Sequence, residues 1–491
     1  MRRRRWLFGD QLGPHFLDSS AHRVLLIESR RVFQRRRFHR QKAHLILSAM
    51  RHRAAELGET QCDYRPADTY REVLQGYDEP LDVVQPTSWA ALHFVDETAE
   101  TVDLDRLPAR GYATSRADFA RWAEGRDRRR LLMEDFYRNA RERLDVLMAN
   151  GKPVTGQWNY DADNREPPPK RRDTLGVPDP WWPDEDEIDA QVRADLDAWT
   201  ADGVEFVGED GPRRFAATRE EALAALAWFV EHRLPTFGRY EDAMLSGDRW
   251  MSHSLLSAPL NLGLLDPIEI VRAAEDAYTE GHAPIAAVEG FSRQIIGWRD
   301  YIWNLYWYFG DEYRSRNELG ARTELPRWFV ELDPEGTQAN CLRSILRSVR
   351  EHGWAHHIPR LMVLGNYALQ RGFDPAALTD WFHRSFVDGY DWVMVPNVVG
   401  MSQHADGGEL ATKPYAAGGN YINKMSDYCG PCVYDPKVRV GPDACPFTAG
   451  YWLFLNRHRE RFAQNHRMFP VIRGLDRLPD LDELVAQGPG G

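Results

Sequence analysis

Short apolar runs dominate the first part of the chain, and apolar residues recurring at three and four dominate the last. "RWLFG" (5–9), "RVLLIES" (23–29), "LDVVQP" (81–86) and "ALHFVDE" (91–97) have the length of strands. Residues 10–22 read as a loop, and a basic stretch from about Phe38 to Leu57 reads as a helix. Strands alternating with helices predict βαβ units and a parallel sheet. "LLMEDFYRNARERLDVLMAN" (131–150) has helical periodicity, with Gly151 expected as its C-cap. Residues 151–187 are dense in Pro, Asp, Asn and Trp and read as a connector. From Thr218 onward, segments 219–234, 266–278, 293–309 and 340–352 are helical in pattern. The pattern predicts an α/β domain over 1–130, a connector over 131–217 and a larger all-helical domain over 218–491. No internal repeat is visible.

Composition adds a compartment and a charge asymmetry. The 491 residues suffice for two or three cores. No apolar run approaches the roughly 20 residues of a membrane span. The start "MRRRRWLFGDQL" lacks the apolar core of a secretory signal, so a cytoplasmic protein without disulfides is expected. The net charge of −12 divides into +9 over residues 1–60 and −21 over the rest. "RRVFQRRRFHRQK" (30–42) reads as a solvated basic face, with phosphate contact as the sharper alternative.

Three of the five cysteines fall within 22 residues, as Cys429-x-x-Cys432 and Cys445-Pro446. The turn-rich "VYDPKVRVGPDA" between them lets the chain double back. Three thiolates in one loop of a reducing compartment call for a metal ion or cluster. Zinc and [4Fe–4S] are not separated by spacing alone. The fourth ligand comes from elsewhere: Cys341, Cys62 or a histidine, with Cys341 preferred because it lies in the helical domain. The aromatic run Trp298–Tyr308 reads first as core. Adjacent His356 and His357, beside Trp354 and Arg360, point about 100° apart on a helix, so one can face a pocket while the other supports it. Imidazole holds or lends a proton near neutral pH.

Three segments carry a family resemblance. "FGRYEDAMLSGDRWMSHSLLSAPLNLGLLDP" (237–267), "EGFSRQIIGWRDYIW" (289–303) and "VPNVVGMSQHADGGELATKPYAAGGNYINKMSDYCGPC" (395–432) resemble the cryptochrome/photolyase superfamily, and the last resembles its bacterial iron–sulfur branch, which includes prokaryotic (6-4) photolyases. The similarity runs from "FGDQL" to about residue 470. It implies a Rossmann-like α/β antenna domain and an all-α FAD-binding domain. It implies a [4Fe–4S] cluster on Cys341, Cys429, Cys432 and Cys445, leaving Cys62 outside. It also implies a 6,7-dimethyl-8-ribityllumazine antenna near Gly9, Asp10, Gln11, Leu12 and Glu28. FAD would be held by Tyr240, His253, Ser254, Leu255, Leu256, Ser257, Arg293 and Gln294, with Asp391 and Asn397 flanking its ring.

The resemblance implies light-driven repair of UV-damaged DNA by a monomer. The lesion flips into a pocket, and excited reduced FAD gives it an electron. A (6-4) photoproduct also needs a proton, which a cyclobutane dimer does not. His356 and His357 match the family's paired histidines there, Tyr415 and Tyr421 its tyrosines near the lesion, and Trp381 its electron relay. Two departures stand out: Asp333 occupies the place of an outer aromatic relay residue, and Met394 a position acidic in some relatives. A blue-light receptor with the same cofactors is the alternative. A zinc-knuckle nucleic-acid binder and a dark flavin oxidoreductase are further readings, the last without a G-x-G-x-x-G to support it.

Overall fold

Five short strands form a parallel sheet in the N-terminal part of the computed structural model, which describes residues 3–488. They are β1 (Arg4–Leu7), β2 (Val24–Ser29), β3 (Cys62–Ala67), β4 (Leu81–Val84) and β5 (Leu104–Leu107), in the order β3-β2-β1-β4-β5. β1, β2 and β4 are buried throughout, which is why they read as continuous apolar runs. β3 and β5 are edge strands with polar, half-exposed sequences and leave no such signal. The expected strand at 91–97 is instead part of the helix Trp89–Ala99. The Ser88 hydroxyl caps that helix by accepting the Ala91 N–H at 3.2 Å, and its buried Leu92 and Val95 are three residues apart.

The sheet order reverses at β1, so the loop after β1 opens at the carboxyl edge of a topological switch point, the usual ligand position in open α/β sheets. The helix Met133–Leu144 ends earlier than expected, at Asp145 in the left-handed region (φ 54°). Gly151 (φ 72°) instead turns the hairpin joining Met148–Ala149 to Lys152–Pro153. No helix or strand is formed over 154–186, and the helix Glu187–Ala201 then packs on Arg40–Leu57.

The remainder is helical. Arg219–His232 begins with a reciprocal Thr218/Glu221 capping box. Ile285–Ser292 continues through a π turn (Arg293–Arg299) into Asp300–Phe309. Two further π turns cover Pro359–Gly365 and Pro396–Ser402. The Trp298–Tyr308 run is mostly core: Tyr301, Trp303, Tyr306 and Trp307 are buried, and Trp303 stacks on Tyr112 with centroids 3.7 Å apart. No helix of the described residues is long and apolar enough to cross a membrane.

The basic stretch 30–42 is solvated only in part: Arg31 and Arg35 are exposed, and the other basic residues are paired or buried. Arg36 pairs with Asp380 at 2.6 Å, Arg37 with Glu331 at 2.9 Å and Arg40 with Asp197 at 2.5 Å. Lys42 is buried, and its ammonium donates to the carbonyls of His383 (2.6 Å) and Gly389. The Arg36, Arg37 and Lys42 contacts tie the N-terminal part to the helical part, and Arg40 ties it to the connector. A second tie runs from the Leu12 N–H to the Leu262 carbonyl at 3.0 Å.

Candidate functional site

The segment Trp354–Gly365 brings the two histidines to one place but gives them different surroundings. His356 is buried and its ring stacks on buried His253, with centroids 4.3 Å apart. His357 is exposed on one side and its Nε2 lies 3.3 Å from the Asp242 carboxylate. Nitrogens of all three imidazoles lie within 4.8 Å of one another. Burial drives the pKa of His253 and His356 well below the usual value, so both are neutral. Burial also opposes charge on His357, but the hydrogen bond and the charge of Asp242 outweigh it, and its pKa is raised. His253 Nε2 and His356 Nδ1 are buried without a hydrogen-bond partner among the described residues. Such orphaned atoms suit a polar ligand laid against them.

A second group closes the same space. Arg360 forms a bidentate pair with Asp388 at 2.8 and 3.0 Å and lies over Phe386 at 4.2 Å. The Ser257 hydroxyl donates to Asp388 at 2.7 Å. The preceding loop is held from behind: the buried Arg233 donates to the carbonyls of His253 (3.2 Å), Trp250 (3.3 Å) and Met251. Leu255 sits at φ 57°, an unfavourable conformation for leucine. The Ser254 hydroxyl accepts the Leu256 N–H at 3.3 Å, and Ser257 opens the next short helix.

The third side is acidic. The Gln294 amide donates to Glu241 at 2.6 Å. Burial pushes Glu241 up to about 8, so it is largely protonated at neutral pH. Arg293 is paired with buried Glu289 (2.6 Å) and with Asp161 of the connector (3.2 Å). Tyr415 and Tyr421 have raised pKa values, chiefly from burial, and both feel the charges of Asp242 and Arg165. Tyr240 lies under the Arg239 guanidinium at 5.3 Å. Thus His356, His357, His253, Ser257 and Gln294 form one neighbourhood, with Tyr415 and Tyr421 at its edge.

Asp391 and Asn397 are engaged by partners of their own. Asp391 accepts from Tyr306 (2.8 Å) and Arg314 (3.3 Å) and approaches His383 at 3.7 Å. These partners hold its pKa below the carboxylate range although burial opposes this. The Asn397 side chain bonds its own helix, at the Val393 carbonyl (2.8 Å). Asp388, three residues before Asp391, is the carboxylate that reaches Arg360. Asp388, Glu241 and Asp242 were not singled out from sequence. The available signal was an acid inside an otherwise apolar stretch, as in "SFVDGYDW".

At the sheet's switch point, Asp10 is half-buried and raised to about 6 by desolvation, with the Thr87 hydroxyl donating to it. The Gln11 amide donates to the carbonyls of Val84 (3.2 Å) and Gln85 (3.3 Å). A Cβ on Gly9 would lie 3.0 Å from Met50 Sδ, so the loop approaches that helix closely there. Glu28 is engaged within the protein, by Arg51 at 2.8 and 3.0 Å and by the Tyr64 hydroxyl.

Cys341, Cys429, Cys432 and Cys445 line one small cavity with Tyr428, Tyr434 and Phe447, and Cys62 is far off in β3. Cys445 is the N-cap of the helix Pro446–Arg457, which explains the Cys-Pro pair. Cys341 is in the first turn of Asn340–His352. Two helix N-termini therefore point partial positive charge at the cavity. Burial and the other three cysteines push the Cys341 thiol well up, and burial pushes Cys429 to about 12. A cation that takes the thiolates relieves that cost.

Trp381 is buried, and its indole N–H donates to the Phe329 carbonyl at 2.9 Å.

A family model described as deoxyribodipyrimidine photo-lyase-related protein matches residues 5–204. The chain is 41% identical over 482 residues to the (6-4) photolyase of Agrobacterium fabrum, an alignment covering 94% of this chain and 93% of that protein. In structure it is similar to a bacterial class III photolyase from Agrobacterium tumefaciens (TM-score 0.55, 14% identity, 99% and 92% of the two chains). It is also similar to a Synechocystis cryptochrome (TM-score 0.56, 14% identity, 83% and 82%). At that identity the two structures establish the fold.

Proposed function

The chain belongs to the cryptochrome/photolyase family, and from that premise we propose that it repairs (6-4) photoproducts in DNA under blue light. The observation that carries this reading is near-full-length identity of 41% to a (6-4) photolyase. The pocket of His253, His356 and His357 agrees with it. FAD, bound and reduced, supplies the electron when excited. His253, Ser254, Leu255, Leu256, Ser257 and Arg360 would hold it, and the two orphaned imidazole nitrogens fit a polar cofactor of that kind.

The protein's own groups divide the remaining work. His357, the exposed member of the pair with a raised pKa, offers a proton from Nδ1 to a lesion oxygen, while its Nε2 faces Asp242, which steadies the charged imidazolium. Neutral His356 stacks behind and fixes the position of the pocket wall. Glu241 and Gln294 offer hydrogen bonds without adding charge. Tyr415 and Tyr421 are placed to pack against a flipped base.

The cysteine cavity is read as a [4Fe–4S] site. Among the described residues, the His/Cys/Asp/Glu groups whose ligand atoms lie within 4.8 Å of one another do not include the cysteines. A single zinc at about 2.3 Å from each sulfur would draw the sulfurs to about 3.8 Å apart. The wider cage suits a cluster. The switch-point loop Gly9–Leu12 is read as the seat of the ribityllumazine antenna, the protein as a cytoplasmic monomer, and residues 1–130, 131–217 and 218–491 as antenna, connector and catalytic parts.

The test is illumination of photoreduced protein with an oligonucleotide carrying one (6-4) lesion, beside a cyclobutane-dimer strand and dark controls. Restoration of the (6-4) strand alone, in light alone, is expected. Absence of repair by protein shown to hold reduced FAD would establish the photoreceptor alternative.

A further inference from the structure

A buried cofactor is reduced from solvent only through oxidisable groups between the two, and indole and phenol rings are such groups. Trp381 is the buried indole nearest the Arg360–Asp388 pair by ring contacts, through Phe386 at 5.9 Å. Among the described residues its ring neighbours are Phe329 (4.5 Å), Phe382 (5.0 Å) and Phe386, none easily oxidised. Phe386 and Phe382 stack on each other, and Phe386 leads back to Arg360. Only Phe329 leads outward to an oxidisable ring directly, that of Trp328 at 5.6 Å. Because the Trp381 N–H donates to the Phe329 carbonyl, one hydrogen bond and one residue of backbone also join the two indoles. The ring contacts keep their centroids within about 10 Å of each other. Trp381 is buried, whereas Trp328 is half-buried and reaches solvent.

The local fold fixes Trp328 there. The Asp333 N–H donates to the Trp328 carbonyl at 2.8 Å, and the Asp333 carboxylate accepts the Glu335 N–H at 3.0 Å to cap the turn. That turn lays Gly336 against Trp328 so closely that a Cβ at 336 would collide with the side chain. Asp333 thus builds the turn that clamps the tryptophan.

We propose that Trp328 is the outer electron donor to Trp381 during flavin photoreduction, in the place for which Asp333 is chemically unfit. This rests on the flavin-binding reading above. The light-excited oxidised flavin takes one electron from Trp381. One electron then passes from Trp328 to the Trp381 cation, restoring neutral Trp381, and the Trp328 cation gives its indole proton to water. An added thiol returns one electron and one proton to Trp328, and two such thiols end as a disulfide.

The experiment uses the full chain loaded with oxidised FAD, illuminated with dithiothreitol present, following flavin bleaching and the transient absorption of the tryptophan radical. Trp328→Phe is expected to slow bleaching about tenfold or more and to shorten the radical signal, with FAD content unchanged, and Trp328→Tyr to recover part of the rate. Tyr367→Phe, which alters the ring packed 5.9 Å from Trp328, is the control and is expected to bleach at the parental rate. Parental bleaching in Trp328→Phe overturns the proposal while leaving the flavin reading intact. A parental protein that binds no flavin instead overturns that reading. A second measurement covers a variant that fails to fold: unaltered protein is illuminated in air without thiol and digested. Oxygen adducts on Trp328 are expected, and their absence there with adducts on other rings overturns the proposal.

Discussion

Glu241 is a buried carboxyl group whose charge is opposed on most sides. Asp242 and Asp161 add to the burial penalty, and His357 and Arg293 offset only part of it. Its folded pKa of about 8 lies above the ordinary 4.5, so the folded state holds a proton that the unfolded chain releases between those values. Stability from this group is fully present below pH 4.5 and is lost as pH rises toward and through 8. Glu241→Gln mimics the protonated form and removes that loss. The melting temperature of the variant relative to the parent is therefore expected to rise from pH 5 to pH 9, and a pH-independent difference would refute the assignment. The neighbouring imidazoles separate chemistry from support. His357→Ala is expected to lower (6-4) repair about 100-fold or more while bound FAD is unchanged. Loss of FAD in that variant would show that the exposed imidazole is structural. Sequence made the pair visible, because two adjacent histidines are rare. It did not assign their roles, because Asp242 and His253 meet them only through tertiary contact.

At the scale of elements, periodicity located the long helices but not their π turns. One extra residue in a turn leaves the apolar spacing almost unchanged while re-aiming every side chain beyond it. The three such turns hold Arg293, Gln294 and Arg360, all of them at the site, and Asn397. Asp388, three residues before Asp391, is the carboxylate that meets Arg360 of the second turn and Ser257, a pairing that linear position does not reveal. The cysteine motif was more legible, since a C-x-x-C followed by a Cys-Pro states a turn and a helix start directly. The two helices that meet at the cavity also fix its failure modes. Cys341→Ser is expected to lose iron, measured by metal analysis and the visible spectrum, and full iron content would remove Cys341 from the ligand set. Gly419→Ala leaves all four cysteines in place but sets a methyl 2.7 Å from Cys445 Sγ. It is expected to lower both iron content and melting temperature, by about 1–3 kcal/mol of overpacking.

At the scale of the whole molecule, most of the positive charge of residues 30–42 is paired or buried, and Arg36, Arg37 and Lys42 join the sheet-bearing part to the helices. If so, removing it changes cohesion more than DNA affinity. Arg37→Ala breaks a bidentate pair with Glu331 at the surface and is expected to leave the salt dependence of DNA binding unaltered, whereas a phosphate contact would lower the slope by about one. Lys42 gives the sharper case. It is buried between Phe38 and Tyr390, and its ammonium serves two carbonyls of the helical part. Lys42→Met fills nearly the same volume but leaves those carbonyls without their donor, at a cost of about 1–3 kcal/mol each. Because the penalty falls on the seam and on neither core, the expected result is more specific than a lower melting temperature. The parent is expected to unfold in a transition shared by both parts. The variant is expected to separate, with tryptophan fluorescence, reported mainly by the helical part, and sheet circular dichroism no longer superimposing. Coincident curves at a lower temperature would mean that the Leu12–Leu262 contact and its neighbours hold the seam without Lys42.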